Sequence, residues 1–239
     1  MNIIVPMAGK GSRFSVAGYT FPKPLISVFQ KPMIQVVVEN LDLDATFIFV
    51  VLKEHLEKYH LKEFLSVISP NSKIIVLDEI TQGAACTVLL AKELIDNDDS
   101  LLIANSDQFM EWNPTDFQLF IKNNNVDGAS INFFATHPKY SFAKVDENYN
   151  ILEIKEKIPI SNVATVGVYY WNKGKNFVYF AEQMIRKNIR VNNEFYVAPV
   201  YNEAIQEGKM IKSYMIEKSW CLGTPEDLLC FERNYNGKI

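Results

Sequence analysis

Four short apolar runs recur through the first 105 residues: NIIVPM (2–7), TFIFVVL (46–52), KIIVLD (73–78) and SLLIAN (100–105). Each is rich in isoleucine, valine or leucine, too short for a typical helix, and stops at a polar residue or glycine. That pattern predicts strands buried on both faces. Between them lie KPMIQVVVENL, KEHLEKYHLKEFLSVI and GAACTVLLAKELI, which carry apolar residues at helical spacing. Strands alternating with helices predict a mainly parallel sheet covered on both faces. In such sheets ligands sit at the carboxyl ends of the strands. Residues 8–14 and 105–108, which leave the first and fourth runs, therefore share one edge.

The second half changes character. GASINFFA (128–135), SFAKVD (141–146), NILEIKE (150–156) and ATVGVYYW (164–171) are closely spaced strand candidates. A helical stretch, NFVYFAEQMIRKN, follows, then the partly helical NEFYVAPVYNEAIQEG and a strand, MIKSYMI. A last helix opens at GTPEDL: Thr224 suits an N-cap, Pro225 the first turn, and Glu226 and Asp227 the positive end of the helix dipole. No repeat or low-complexity linker divides the chain. The expected fold class is α/β: a single Rossmann-like mixed, mainly parallel sheet with helices on both faces and an added β-rich part. One domain over residues 1–239 is expected, with halves 1–127 and 128–239.

Composition narrows the function. The net charge of −4 over 239 residues provides no broad basic surface for nucleic acid. Cys86, Cys221 and Cys230 are odd in number, far apart and form no CxxC, which argues against a disulfide framework and structural zinc. His55, His60 and His137 lack metal-ligand spacing. No apolar run is long enough to cross a bilayer, and no signal peptide is expected, so the cytoplasm is the default compartment. Dimers being common, a homodimer is the base-rate expectation.

The first strand runs into GKGSRF, and nine residues after Arg13 comes PKPL. The spacing is not that of a P-loop, which requires GK[ST] four residues after its first glycine. Nor is it a dinucleotide fingerprint, because Phe14 occupies the third glycine position and Gln30 and Lys31 stand where the acid belongs. Two readings remain for the loop. It is either a tight turn with an exposed arginine, or a loop whose amides approach a polyanion closely while Arg13 adds a charged fork. Pro22 and Pro24 would hold Lys23 extended, aiming its ammonium at a fixed point.

Together, Gly9, Gly11, Arg13, Pro22, Lys23, Pro24 and Leu25 resemble the nucleotidyltransferase family that makes NDP-sugars and related activated groups. The likeness continues through TQGAACTVLLA (81–91), ANSDQ (104–108), EIKEK (153–157) with VGVYYW (166–171), and SWCLGTPEDL (219–228). It implies transfer of a nucleoside monophosphate from an NTP to a small phosphorylated acceptor, with release of pyrophosphate. Ala8, Gly9, Gly11, Ser12 and Arg13 would hold the nucleotide, the backbone of Gly9 to Gly11 and Arg13 gripping the β- and γ-phosphates. Lys23 would lie near the α-phosphate, making Arg13 and Lys23 the catalytic cations. Gln82 and Gly83 would lie near the base, with Ser106 also on the nucleotide side. Asp107 would bind Mg²⁺, although an aspartate after a strand also serves as a simple turn cap. Lys157, Glu194 and Tyr196 would face the acceptor in the half 128–239; a solvated hairpin lysine is the rival reading for Lys157.

Two positions depart from the family pattern. Cys221 stands where a second metal aspartate is often found, and a thiolate is a poor magnesium ligand. Glu217 and Asp227 are the candidates to replace it, Asp227 also being explained as a helix-start charge. Thr165 stands near an expected asparagine. Similarity in length and character to small capsule- and choline-type cytidylyltransferases favours CTP and a non-sugar acceptor such as phosphocholine or phosphoglutamine. UTP or dTTP with a sugar 1-phosphate is the alternative. A glycosyltransferase, or a nucleotide-binding module without chemistry, are further rivals.

Overall fold

The structure, a computed structural model, describes residues 1–237 and 239. In chain order the elements are β1 (Asn2–Pro6), α1 (Ser12–Val16), a 3-10 turn (Lys23–Leu25), β2 (Ser27–Val28), β3 (Lys31–Pro32), α2 (Met33–Leu41), β4 (Thr46–Leu52), α3 (Lys53–Lys58), α4 (Leu61–Ile68), β5 (Lys73–Leu77), α5 (Ala84–Leu89), α6 (Lys92–Ile95), β6 (Leu101–Ala104), β7 (Gln108–Glu111) and α7 (Pro114–Asn124). The second half adds β8 (Gly128–Phe134), β9 (Ser141–Val145), β10 (Ile151–Glu156), β11 (Val163–Trp171), α8 (Gly174–Arg186), α9 (Val200–Gln206), β12 (Ile211–Met215), β13 (Lys218–Cys221) and α10 (Pro225–Asn234).

One mixed sheet runs through both halves, giving the expected α/β class. Its first-half strands β6, β1, β4 and β5 are all parallel. β11 then joins antiparallel to β6, β8 follows, and β12 closes that edge in parallel. β9 and β10 form a hairpin that leaves the path at the front of β11. All nine residues of β11 are buried, as a strand paired on both edges and covered on both faces requires.

Side chains alternate between two cores. Ile4, Ile48 and Val50 face one side, where α5, α8 and α9 pack. Ile3, Val5, Phe47 and Phe49 face the other, against α2, α4 and α7. A third core joins chain segments far apart in sequence: Phe14 of α1, Met33 of α2, Phe109 of β7, Leu222, and Leu228 and Phe231 of α10. It brings the glycine loop beside the last helix.

The structure corrects several local expectations. The continuous helix over 53–68 is two helices, broken at Tyr59 and His60, where His60 takes φ +50°. The stretch 83–95 divides likewise into α5 and α6. α1, β7, α7 and β13 were not anticipated. α7 carried a legible start all the same, since Asn113 caps it by accepting from the Thr115 amide and Pro114 follows. Thr224 does cap α10, accepting from the Asp227 amide at 3.1 Å.

Helix α9 is pinned to the sheet by one hydroxyl. Tyr201 is fully buried, and its hydroxyl lies 2.7 Å from the Tyr170 carbonyl and 3.0 Å from that of Ala129. Tyr201→Phe is expected to lower unfolding free energy by about 1 kcal/mol, because the one buried hydroxyl hydrogen shared between two carbonyls is lost. Urea denaturation checks this; an unshifted midpoint would show that the contact contributes nothing.

Candidate active site

The site forms where the loops after β1 and β6 meet the β7–β13 ribbon. Gly11 is left-handed at φ +61°, and a Cβ there would lie 3.1 Å from the Lys23 Cβ. The glycine therefore lets the PKPL segment close onto the loop. Lys23 is not extended as expected. Pro22 is, but Lys23 opens the 3-10 turn, with Ile26 N–H donating to its carbonyl. Pro24 fits because the first turn of a helix asks for no amide hydrogen there.

The turn aims the Lys23 ammonium at Asp107, with Nζ 2.9 Å from Oδ2. Both side chains are mostly shielded, at 21% and 18% exposed. β7 and β13 hold Asp107 in place: Gln108 pairs with Cys221, and the Leu222 amide donates to the Asp107 carbonyl at 2.7 Å. Gly223 must stay small, since a Cβ there would sit 2.7 Å from Asp107 Oδ2.

Two clefts open at this edge. A central cleft of about 250 Å³ is lined by Arg13, Asp107 and Tyr196 among the expected residues. A neighbouring cleft of about 320 Å³ is lined by Ala8, Gly9, Gly83 and Glu194, with Thr81 and Thr87. Gly83 takes φ +134° and ψ 169°, a conformation open almost only to glycine. A Cβ on it would meet the Phe195 backbone at 2.5 Å. Residues 194–196 dock there through Phe195 N–H to the Gln82 carbonyl and Ala85 N–H to the Phe195 carbonyl. Glu194 thus lines the cleft that the glycine loop enters, close to Glu156 and Tyr196 of the central one.

Other expected residues sit elsewhere. Ser106 is buried and lines neither cleft, and Ser12 opens α1. Gln82 also lies outside both clefts, its Oε1 accepting from Arg190 at 2.6 Å. Lys157 lies outside them too, its ammonium 2.6 Å from the Tyr196 hydroxyl.

Sequence reasoning missed Lys139, Tyr140, Ser141, Glu156 and Tyr169, which all line the central cleft. Only Glu156 carried a signal, as the acidic neighbour of Lys157. It is buried and accepts from the Ser141 hydroxyl; burial raises its pKa, with that hydrogen bond acting the other way. Tyr169 is buried beside it, 3.1 Å from the Thr165 hydroxyl, and burial and then the Glu156 charge push its phenol well up. Asp227, weighed as a helix-start charge, also lines the cleft. Its Oδ1 pairs with Lys139 at 2.5 Å and its Oδ2 accepts from the Thr224 hydroxyl at 3.0 Å.

The donor set bears on the metal. No group of three or more histidine, cysteine, aspartate or glutamate residues able to hold an ion occurs among the described residues. Cys221 is pushed up to about 12 by burial and then by the charges of Asp107 and Asp227, so it stays a neutral thiol. Asp227 is committed to Lys139 and Thr224. Asp107 keeps an oxygen, Oδ1, without a hydrogen bond or ion pair among the described residues. A single carboxylate suits a small hard cation that keeps most of its shell as water and phosphate oxygen.

The model of one family, described as nucleotidyl transferase, matches residues 2–237. The chain belongs to that family. Among relatives of this nucleotidyl transferase, the bifunctional protein GlmU of Methanocaldococcus jannaschii is 27% identical over 234 residues, 96% of this chain and 53% of that protein. The bifunctional sugar-1-phosphate nucleotidylyltransferase/acetyltransferase of Sulfurisphaera tokodaii is 26% identical over 175 residues, 72% of this chain and 41% of that protein. The chain thus spans about half the length of the curated relatives it matches. Among solved structures, the nucleoside-diphosphate-sugar pyrophosphorylase of Vibrio cholerae superposes with a TM-score of 0.83 at 25% identity, covering 97% of this chain and 100% of that one.

The neutral thiol beside the cleft can be checked directly. With a pKa near 12, roughly one Cys221 in ten thousand is thiolate at pH 8. Iodoacetamide at pH 8, mapped by mass spectrometry, is expected to label exposed Cys230 readily and to leave Cys221 unmodified until the chain is unfolded. Equal labelling of the two would show a thiolate at Cys221.

Proposed function

We propose that the chain moves a nucleoside monophosphate from UTP or dTTP onto a sugar 1-phosphate and releases pyrophosphate. The observation that carries the reading is the Lys23–Asp107 pair at the joint edge of β1 and β6, beside a glycine loop, with Asp107 lining the central cleft. Phosphoryl transfer asks chiefly for positioning and charge neutralisation, and these groups supply both. Family membership and the sugar-phosphate names of relatives support the acceptor class. They favour a sugar 1-phosphate over the phosphocholine or phosphoglutamine considered from sequence.

For the base, the family resemblance puts Gln82 near its edge, although that side chain lies outside both clefts with its carbonyl accepting from Arg190. Its amide N–H groups, without a partner among the described residues, suit the O4 acceptor of uracil or thymine.

In the reaction, main-chain groups from Gly9 to Gly11 and the Arg13 fork hold the β- and γ-phosphates. Lys23 leaves Asp107 for the α-phosphate, where negative charge builds in the transition state. The acceptor phosphate is already mostly ionised at neutral pH, so no side chain needs to act as base. Asp107 is the residue that would hold Mg²⁺, which when bound neutralises phosphate charge. A cytoplasmic setting suits this chemistry, and among the described residues no helix is long and apolar enough to cross a membrane.

A pyrophosphate-release screen of ATP, GTP, CTP, UTP and dTTP against sugar 1-phosphates, phosphocholine and inorganic phosphate tests the reading. Turnover is expected with UTP or dTTP and a sugar 1-phosphate. Sugar transfer without pyrophosphate would point to a glycosyltransferase, and no turnover to a binding module. Lys23→Ala is expected to lower kcat by about 10²–10³-fold with the fold intact. Asp107→Asn is expected to remove most activity together with its dependence on added Mg²⁺. A variant at either position with wild-type turnover would sink the assignment of that residue.

A further inference from the structure

We propose that Lys139 is the cation that receives the acceptor's phosphate group, with Asp227 as its resting counterion; this rests on the transferase reading above. Among the described residues, the cations lining the central cleft are Arg13 and Lys139. The carboxylates lining it are Asp107, Glu156 and Asp227. A phosphate monoester carrying close to two negative charges cannot approach that wall without a positive group to meet it. Arg13 leaves the glycine loop and belongs with the nucleotide phosphates. The acceptor end is therefore left to Lys139, which comes from the β8–β9 connection in the half 128–239.

The structure holds Lys139 ready for that role. Its backbone amide donates to His137 Nδ1 at 3.1 Å, fixing the loop, and its ammonium lies 2.5 Å from Asp227 Oδ1. The side chains are 34% and 21% exposed, so the pair is reachable from the cleft. Burial acts to lower the ammonium's pKa, but the Asp227 hydrogen bond and nearby charges raise it overall, which keeps Lys139 positive. When a phosphate takes the ammonium, Asp227 is not stranded. It keeps the Thr224 hydroxyl and sits in the first turn of α10, where the helix dipole favours negative charge. Lys157, the residue the family resemblance put forward, is tied to the Tyr196 hydroxyl and lies 4.7 Å over its ring, outside the cleft.

Calorimetric titration of glucose 1-phosphate, inorganic phosphate and UTP into wild type, Lys139→Met, Lys139→Arg and Lys157→Met tests this, with melting curves confirming that each variant is folded. Lys139→Met is expected to weaken both phosphate ligands at least about tenfold, as losing a charge-assisted hydrogen bond implies. UTP affinity should stay within about twofold, and Lys139→Arg should recover part of the loss. Wild-type phosphate affinity in Lys139→Met, a loss confined to Lys157→Met, or no phosphate binding by wild type would each overturn the proposal. The pyrophosphate assay separates the two readings. A wild type that binds phosphate through Lys139 but releases no pyrophosphate loses the transferase reading and keeps this one. Normal turnover in Lys139→Met does the reverse.

Discussion

The contact between the Lys23 ammonium and the Asp107 carboxylate joins two loops 84 residues apart in sequence. It sets what the rest of the fold must achieve. Lys23 follows the first strand, while Asp107 follows the fourth strand of the parallel set. They meet because β6 lies directly beside β1, in the register Asn2 to Leu101. Two opposite charges mostly out of water need each other, since either alone would carry an uncompensated desolvation cost. A phosphate and its counterion can separate the pair only by offering each member a replacement partner. The two charges that neutralise each other are thus the ones a polyanion with a divalent cation would divide between them.

Apolar packing then makes the position of that pair robust. The third core gathers Phe14, Phe109, Leu222 and Phe231, so α1 after the glycine loop, β7, the end of β13 and α10 share one apolar cluster. Burial of several aromatic side chains outweighs any single polar contact at the rim. Gly223 shows how tight the fit is, with no room for a methyl group between the β13–α10 turn and Asp107. The rare backbone at Gly83 plays the same part on the neighbouring cleft, where the 194–196 segment sits against the start of α5.

Much of the fold was legible. The β-branched runs at β1, β4 and β6 marked themselves, because a strand covered on both faces leaves no room for polar residues; β5 has the same composition but lies at the sheet edge with only Leu77 buried. The glycine loop and the proline-flanked lysine were legible for a related reason, as backbone constraint leaves a residue signature. The internal breaks were not. His60 ends α3 in a left-handed turn with no glycine to announce it, and β13 is half-exposed with an ordinary polar composition. Among site residues, Lys139 was invisible because a lysine in a loop looks the same whether it meets water or a cleft. Only the tertiary placement of Asp227 distinguishes the two. Glu194 was placed on the acceptor side by the family resemblance alone, and it lines the cleft it shares with Gly9 and Gly83 while its near neighbour Tyr196 lines the central one.

The departure at Cys221 follows from the same electrostatics. Asp107 and Asp227 both lie close enough to raise its pKa, so a third carboxylate there would stand between two others. Such a group is stable only with a strong cation at hand, and Lys139 is already committed to Asp227. A neutral thiol removes that conflict. The site then has two lysine–aspartate pairs, Lys23–Asp107 at the edge of the cleft and Lys139–Asp227 on its wall, in place of a cluster of three carboxylates.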